Sequence, residues 1–300
     1  MENKSQTGNN YPNIIAVGLC GKDLKWTLEH NGTLTISGTG KMQNWDRLEA
    51  HTLAPWYDYQ DNIVSVIINH GVTSIGSEAF ISTDLSNIII PDSVSDIGKY
   101  AFAFNHGLNS IVIPKSVTRI GESAFSHASL ANIEISNGIT EISDAAFNGC
   151  YNLTNITIPN SVTKIGGAAF SFCDGLKNIN FPNNIAKIAD YTLHGCVSLT
   201  DIIIPESISE IGQWAFSECR SLTDITIPYG VKKIDRYAFS DCDSLTNVSI
   251  PRSIEMIGRD SFDGCSSLTD IFYNGTEEEW KNVHIERGND GLLSLNIHYL

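Results

Sequence analysis

The stretch Leu222-Thr-Asp-Ile-Thr-Ile-Pro-Tyr-Gly-Val-Lys-Lys-Ile-Asp-Arg-Tyr-Ala-Phe-Ser-Asp-Cys242 contains the pattern that decides the fold. The position of its phenylalanine, Phe239, recurs every 22 or 23 residues, and we call this position the anchor. The anchors are Phe80, Phe102, Phe125, Phe147, Phe170, Leu193, Phe216, Phe239 and Phe262. A period of this length is typical of solenoids, in which each repeat forms one coil and neighbouring coils share a core.

Within one coil the apolar side chains predict a short strand followed by a second inward-facing stretch. Ile225 and Ile227 alternate as the inward side chains of a strand do, and Pro228 has no amide proton with which to continue the ladder. Val231 and Ile234 lie three residues apart and predict the second stretch, after which a turn or one helical coil leads through the anchor. Equivalent prolines predict the same strand end at Pro91, Pro114, Pro159, Pro182, Pro205 and Pro251.

Glycine follows the second stretch in many coils, at positions 76, 98, 121, 166, 212 and 258. Glycine tolerates both a positive φ and a close approach of another backbone, because it has no Cβ. The sequence leaves both explanations open.

Both ends of the repeat array have the features of caps. Residues 1–10 form a polar tail, residues 11–64 an amino-terminal cap, residues 65–273 the stacked repeats and residues 274–300 a carboxy-terminal cap. Asn31-Gly32 predicts the turn of a hairpin in the first cap, which Trp45 and Trp56, with Pro55 and Tyr57, seal against the first coil. Thr276 predicts the start of a helix in the second cap, and residues 294–300 a last strand. Closed ends avoid end-to-end association, so we expect a monomer.

The repeat unit L-x-x-I-x-I-P-x-x-V-x-x-I-G-x-x-A-F-x-x-C resembles the BspA-like, or Treponema-type, leucine-rich repeats. The resemblance implies a leucine-rich-repeat solenoid of the α/β class, rich in β structure, right-handed and gently curved. It also implies a cell-surface or secreted protein that adheres to host proteins, matrix proteins or other cells. Three departures are Ser136 and Asn274 in place of proline and Leu193 in place of phenylalanine. The opening MENKSQTGNN lacks the apolar segment of a secretory signal, which leaves a cytoplasmic location open.

Composition narrows the classes of partner. The formal net charge is −15, so nucleic acid and anionic lipid surfaces are repelled over most of the molecule. No stretch approaches the ~18 apolar residues needed to span a bilayer, and we expect no membrane insertion.

Chemistry-bearing residues do not form a recognisable catalytic or metal-binding motif. The cysteines three residues after the anchors predict a buried structural column, namely Cys150, Cys173, Cys196, Cys219, Cys242 and Cys265. His194 and Cys196 are the nearest candidate for a catalytic pair, and Asp201 with Asp224 the nearest candidate for a cation site. We expect neither to function, and therefore no catalytic residue, metal or cofactor.

Tyr191, Trp214 and Tyr237 stand two residues before the anchor in consecutive coils, and we call them the aromatic strip. The same position, which we call the pre-anchor position, also holds residues such as Glu78 and Asp260, which predicts that it is exposed to solvent. An exposed strip of this kind predicts a binding patch, in which the flanking Arg236, Gln213 and Asp190 orient a ligand. The alternative is a self-stacked ladder that stabilises the coil.

The outward positions of the main strands vary in chemistry and offer a second surface: Ile89, Val112, Glu134, Thr157, Asn180, Ile203, Thr226, Ser249 and Phe272.

The capped solenoid, its variable outward positions and the lack of a catalytic motif favour a non-enzymatic protein-interaction or adhesion module. Such a module binds a macromolecule, most simply a protein or glycoprotein on a host, matrix or cell surface. The alternatives are a carbohydrate-binding surface protein and a structural spacer within a larger surface protein.

Overall fold

A computed structural model describes residues 13–47 and 51–300, and the polar tail predicted over residues 1–10 lies outside them. The chain divides into two compact units, Met1–Ile139 and Thr140–Leu300, which we describe separately. Each unit consists of stacked coils with short parallel strands joined by turns, as the repeat pattern predicts. The predicted leucine-rich-repeat solenoid is confirmed.

Unit 1 contains strands β1–β11 and one 3-10 helix, Tyr57–Asn62. Strands β1, β2 and β3 pair antiparallel, and β5 and β7 continue that sheet in parallel. The second stretches of the coils form another sheet in the order β4-β6-β8-β10, and β9 pairs with β11. The strands are β1 Ile14–Leu19, β2 Leu24–Glu29, β3 Thr33–Gly38, β4 Gly40–Lys41, β5 Ser65–Ile68, β6 Val72–Ile75, β7 Asn87–Ile89, β8 Asp96–Ile97, β9 Ser110–Ile113, β10 Arg119–Ile120 and β11 Asn132–Ile135.

The predicted hairpin connects β2 and β3 and closes the first coil. Gly32 takes a φ of 83° in its turn, a conformation that glycine adopts without a Cβ penalty. Trp56 stacks on the first anchor, Phe80, at 5.5 Å between ring centroids, and its Nε1 donates a hydrogen bond to the Ala79 carbonyl at 2.8 Å. Trp45 packs on the edge of Trp56 at 5.3 Å. Trp56 therefore continues the anchor column and seals its first ring from water.

Unit 2 contains strands β12–β24 and two helices of one turn each. Its strands pair in parallel, in the orders β12-β14, β13-β15, β16-β17-β19-β21-β23 and β18-β20-β22-β24. The elements are β12 Glu141–Ile142, β13 Asn155–Thr157, β14 Lys164–Ile165, β15 Asn178–Asn180, β16 Lys187–Ile188, β17 Glu210–Ile211, β18 Asp224–Thr226, β19 Lys233–Ile234, β20 Asn247–Pro251, β21 Met256–Ile257, β22 Asp270–Asn274, α1 Glu277–Trp280, β23 His284–Ile285, α2 Asp290–Leu293 and β24 Asn296–Tyr299.

The carboxy-terminal closure of unit 2 follows its sequence signals. Thr276 caps α1 through a complete capping box with Glu279, as the helix prediction requires. Trp280 packs on the edge of the buried Tyr273 at 5.0 Å.

The main strand of unit 2 is weakest in the coil of Ile203, because Ile203 forms only an isolated bridge with Asn180.

The anchor side chains form the centre of the core in each unit. In unit 1, Phe80 and Phe102 stack at 5.5 Å with their ring planes 17° apart. In unit 2, Phe216 and Phe239 stack at 5.0 Å with their ring planes 2° apart. These rings are fully buried, and burial of each contributes about 1.5–3 kcal/mol. Because a ring gains its partner only from the next coil, stacking is what makes the core continuous.

The turns around the anchor contain two residues with positive φ in each coil, and most of them are not glycine. The pre-anchor position has φ between 52° and 59°, and the position two residues after the anchor, which we call the post-anchor position, is also left-handed. The glycines at positions 76, 98, 121, 166, 212 and 258 instead meet another backbone closely. A Cβ on Gly98, for example, would lie 2.5 Å from the Ser77 nitrogen. The close-approach explanation therefore holds for these glycines, and the left-handed turns lie elsewhere.

Hydrogen bonds between coils hold the left-handed residues in place. The pre-anchor N–H of Tyr191 donates to the Gln213 carbonyl at 2.8 Å, and that of Trp214 donates to the Arg236 carbonyl at 3.2 Å. The post-anchor N–H of Phe172 donates to the His194 carbonyl at 2.7 Å. Left-handed geometry costs a non-glycine residue about 1–2 kcal/mol, and these bonds between coils offset it.

Candidate functional site

The three side chains of the aromatic strip form one stack along consecutive coils of unit 2. Trp214 and Tyr237 lie 4.2 Å apart between ring centroids with an interplanar angle of 14°. Tyr191 and Trp214 lie 6.1 Å apart with an angle of 9°. The predicted juxtaposition of the three rings is therefore present, and the self-stacked ladder describes its geometry.

The strip is partly rather than fully exposed. Tyr191 has 39% of its surface exposed, whereas Trp214 and Tyr237 are half-buried. Glu78 and Ser123, at the same position in unit 1, are buried. The expectation that the pre-anchor position is open to solvent is thus wrong as a general rule. The left-handed backbone directs its side chain along the turn, where the neighbouring coils cover much of it.

His194, which the sequence did not place in the site, lines the strip, and Phe172 packs on His194. The His194 ring meets Phe172, Tyr191 and Trp214 edge-on at 4.9, 5.8 and 6.0 Å. Its Nδ1 is buried and has no hydrogen-bond partner among the described residues, so ring contacts hold this side chain. An available signal was the recurrence of rings at or beside the post-anchor position, as at Phe104, which stacks on His127 in unit 1.

Gln213 and Arg236 contribute to the site chiefly through their backbone. Their carbonyls accept the hydrogen bonds of the Tyr191 and Trp214 amides, and the Arg236 side chain is exposed. Asp190 is exposed beside Tyr191, and its Oδ1 accepts a hydrogen bond from the Gln213 backbone at 3.0 Å. The strip is therefore flanked by the cationic side chain of Arg236, next to Tyr237, and by the anionic side chain of Asp190, next to Tyr191.

The outward faces of the main strands form a second accessible surface in each unit. In unit 1, Ile89 and Val112 are exposed apolar residues. In unit 2, Ile203 has 81% of its surface exposed, while Phe272 is half-buried and stacks on His298 at 4.8 Å. These positions are accessible as expected.

The cysteine column has a structural role. The Cys173 thiol donates a hydrogen bond to the Phe147 carbonyl at 3.2 Å, and Cys196, Cys219, Cys242 and Cys265 make the equivalent bond to the anchor of the preceding coil. In unit 1, the side-chain amide of Asn105 donates the equivalent hydrogen bond to the Phe80 carbonyl at 2.6 Å. The thiols thus give anchor carbonyls a second hydrogen bond, since the carbonyls of Phe147, Phe170, Leu193 and Phe216 also accept one from a backbone amide of their own turn.

Geometry gives no support to a Cys196–His194 catalytic pair. The Cys196 thiol is fully buried and donates to the Phe170 carbonyl at 3.2 Å. Burial raises the pKa of this thiol, which opposes formation of the nucleophilic thiolate. His194 meanwhile packs among the aromatic rings.

The polar column before the main strands is bonded within itself. Asn178 donates to the Asn155 side chain at 3.2 Å, and Asn247 donates to Asp224 at 2.7 Å. Within residues 13–47 and 51–300 no group of three or more histidine, cysteine, aspartate or glutamate residues is arranged to hold a metal ion. Asp224 therefore has an amide partner in place of the suggested cation.

A cleft of about 280 Å³ lies between the last coil and α2 in unit 2. Its walls include the apolar Phe262, Leu268 and Leu292, with Asp263 and Cys265 at its edge. A single carboxylate and a thiol in an apolar cleft do not form a nucleophile–base pair.

Comparison with known proteins gives a family match. The family model described as BspA type Leucine rich repeat region, with 6 copies, matches residues 56–154 and 140–269. No curated protein matches the sequence. In the part of the chain that the structure describes, no helix has the length and apolar character needed to cross a membrane.

Solved bacterial proteins are similar over most of their length. A leucine-rich repeat protein from Eubacterium ventriosum is 23% identical, with 83% of this chain and 95% of that chain covered and a TM-score of 0.44. A leucine rich cell surface protein from Faecalibacterium prausnitzii is 24% identical, with 93% and 99% covered and a TM-score of 0.39. The pneumococcal vaccine antigen PcpA is 16% identical, with 96% and 98% covered and a TM-score of 0.43.

Proposed function

Because this chain belongs to the BspA-type leucine-rich repeat family, we propose that it is a non-enzymatic adhesion module that binds a protein or glycoprotein through the aromatic strip. The family supports protein interaction in general terms. The observation that carries the finer proposal is the stack of Tyr191, Trp214 and Tyr237 on three consecutive coils, in which rings remain accessible at the surface.

The strip suits protein recognition because its rings are ordered before a partner arrives. Association costs about 0.5–1.5 kcal/mol for each flexible side chain that it immobilises, and stacked rings on a hydrogen-bonded turn avoid much of that cost. Tyrosine, tryptophan and arginine are also the residues that most often dominate binding energy at protein interfaces, and Arg236 flanks the strip. The proposal places the protein at the cell surface or in the secreted fraction, where it meets host or matrix proteins.

Carbohydrate recognition fits Trp214, the central ring of the strip, less well. Sugars stack on open ring faces, whereas Trp214 has a ring on each side, at 4.2 and 6.1 Å. Its accessible part is an edge, which suits contact with a protein side chain or loop.

The test is saturable binding of the purified chain to immobilised fibronectin, fibrinogen and mucin and to a glycan array. A Tyr191/Trp214/Tyr237 triple alanine variant is compared at a temperature where both proteins are folded, as judged by circular dichroism. Phe104→Ala is the matched control, because it removes an exposed stacked ring from unit 1 and leaves unit 2 intact.

We expect binding to at least one protein ligand, at least tenfold weakened in the triple variant and unchanged in Phe104→Ala. Binding that survives in the triple variant would contradict the role of the strip. Binding to glycans alone would favour the carbohydrate alternative, and failure to bind any ligand would favour the structural spacer.

A further inference from the structure

The two ends of the aromatic stack differ in what covers the outermost ring. At one end, the guanidinium of Arg259 lies over the ring of Tyr237, 6.0 Å from its centroid. Arg259 is held there by Asp260, whose Oδ2 accepts a hydrogen bond from its Nε at 2.6 Å. The chain therefore closes this end with a cation on the ring face and a carboxylate that pairs with the cation.

A related arrangement occurs at a pre-anchor tyrosine of unit 1, where the cation directly precedes the tyrosine and the carboxylate comes from the next coil. The ammonium group of Lys99 lies 5.3 Å from the centroid of Tyr100. Glu122, one coil further along, pairs with Lys99 at 3.0 Å. A cation held by a carboxylate on a pre-anchor tyrosine is thus a recurrent solution in this protein.

Tyr191, at the other end of the strip, lacks such a cover. The pre-anchor residues of the two preceding coils of unit 2 are Ala168 and Ala145, which offer only methyl groups. Tyr191 is correspondingly the most exposed ring of the strip. Among the described residues, no lysine or arginine lies over its ring.

One exposed carboxylate borders this uncovered face. Asp144 accepts a hydrogen bond from the Gly167 amide at 2.8 Å, immediately before Ala168, whereas Asp190 reaches the opposite side of Tyr191, where its Oδ1 accepts a hydrogen bond from the Gln213 amide. A Cβ placed on Gly167 would lie 4.0 Å from Asp144 Oδ1, so this carboxylate stands beside the gap. Neither aspartate has an ion-pair partner within the described ranges.

We propose that the uncovered face of Tyr191, with Asp144 beside it, binds an arginine side chain of the partner protein. The inference rests on the proposed function and specifies which group of the partner the strip accepts. A guanidinium is planar and stacks on a ring while its N–H groups reach carboxylates in the same plane. The net charge of −15 raises the local concentration of cationic segments around the chain.

The first experiment uses the whole chain and needs no identified partner. N-acetyl-arginine amide is titrated against protein labelled with ¹³C at the tyrosine ring ε carbons, and the Tyr191 signal is assigned from Tyr191→Phe. We expect a saturable shift of the Tyr191 signal that weakens with salt. N-acetyl-citrulline amide, which is planar but uncharged, should produce at least threefold weaker binding, as should the Asp144→Asn variant.

Two substitutions test whether arginine binds at the uncovered face of Tyr191 without removing Tyr191 itself. Ala168→Tyr places a ring directly on the uncovered face, and the left-handed backbone accepts tyrosine because Tyr100 has the same φ of 53°. Ala145→Tyr adds the same ring one coil further away, about 10 Å from Tyr191 at ~4.8 Å per coil. We expect Ala168→Tyr to abolish the arginine-dependent shift and Ala145→Tyr to retain it.

The inference is overturned if arginine amide leaves the Tyr191 signal unmoved, if citrulline or methyl β-glucoside shifts it equally, or if Ala168→Tyr still binds arginine amide. The binding test with immobilised protein ligands distinguishes failure of this inference from failure of the proposed function. A protein ligand that is lost in the triple alanine variant but retained by Ala168→Tyr would leave the strip as the binding face and refute the arginine contact. Arginine binding at Tyr191 without any protein ligand would uphold the contact and contradict adhesion through the strip.

Discussion

Replacing Trp214 with alanine should lower the free energy of unfolding by about 2–4 kcal/mol. An aromatic side chain buries about 150–250 Å² when covered, so the half-buried indole removes roughly 100 Å² from water. At about 25 cal/mol per Å², this area corresponds to ~2.5 kcal/mol, and the stacking contact with Tyr237 adds about 1 kcal/mol. The left-handed backbone contributes nothing to the difference, because alanine also carries a Cβ.

The stacking contribution can be separated from burial by two double-mutant cycles. Trp214 with Tyr237, at 4.2 Å, should couple by about 1 kcal/mol, and Tyr191 with Trp214, at 6.1 Å, by about half as much. Urea unfolding followed by far-ultraviolet circular dichroism measures each variant, with constant m values as the condition for comparison. Tyr229→Ala is the control, since this exposed tyrosine should cost less than about 0.5 kcal/mol.

The reasoning would be refuted by a loss below 1 kcal/mol for Trp214→Ala, which would mean that the indole is not packed in solution. Equal coupling energies in the two cycles, or a larger one for Tyr191 with Trp214, would refute the stacking geometry.

Three further predictions concern the coils themselves. Asn105→Ala should cost about 2–4 kcal/mol, measured by tryptophan fluorescence in urea, because it removes the buried hydrogen bonds that Asn105 donates to the Phe80 carbonyl and accepts from the Leu85 amide. A cost below about 0.5 kcal/mol would contradict their role. Asp241→Gly should be neutral or stabilising by up to about 1 kcal/mol, since Asp241 is left-handed, whereas Asp243→Gly should cost about 0.5–1 kcal/mol, both measured by thermal unfolding. Burial and then nearby carboxylates raise the pKa of Asp241, so its stabilising contribution is full below the unfolded pKa and is lost as pH rises through the folded pKa. The benefit of Asp241→Gly should therefore be larger at pH 7 than at pH 3, and the opposite order would refute the argument. In native protein treated with iodoacetamide, mass spectrometry should find Cys265 modified before the fully buried thiols; equal rates would contradict the buried column.

The sequence predicts the coil well where the signal is apolar spacing or a missing amide proton. Ile225 occupies the centre of β18, and Pro228 follows directly on the buried Ile227 beyond its end. The hairpin turn at Gly32 and the capping box at Thr276 also follow from residues that have one strong local preference.

The left-handed turns could not be predicted, because their cause does not lie in the residues that adopt them. Tyr100, Ala168 and Trp214 all take a positive φ, although none has an intrinsic preference for it. Hydrogen bonds from their amides to the next coil impose this conformation, and such bonds exist only after stacking. The glycines that follow the second stretch mark close backbone approach, as at Gly98, whereas the post-anchor Gly149, Gly195 and Gly264 do take a positive φ.

The same cause limits what the sequence reveals about the site. The repeat period places Tyr191, Trp214 and Tyr237 in adjacent coils, and the structure stacks them. The period does not reveal that the turn covers half of Trp214. Nor does it reveal that His194, which follows the anchor Leu193, contacts the strip and packs on Phe172 of the preceding coil.

Hydroxyl-radical footprinting of the chain with and without its bound protein ligand tests the central claim most directly, because it locates the binding face without any substitution. The account predicts that oxidation of Tyr191, Trp214 and Tyr237 falls severalfold on binding, while Tyr229, with 66% of its surface exposed, and Phe104 keep their rates. Unchanged oxidation of the strip, with protection confined to the strand faces or the caps, would contradict it.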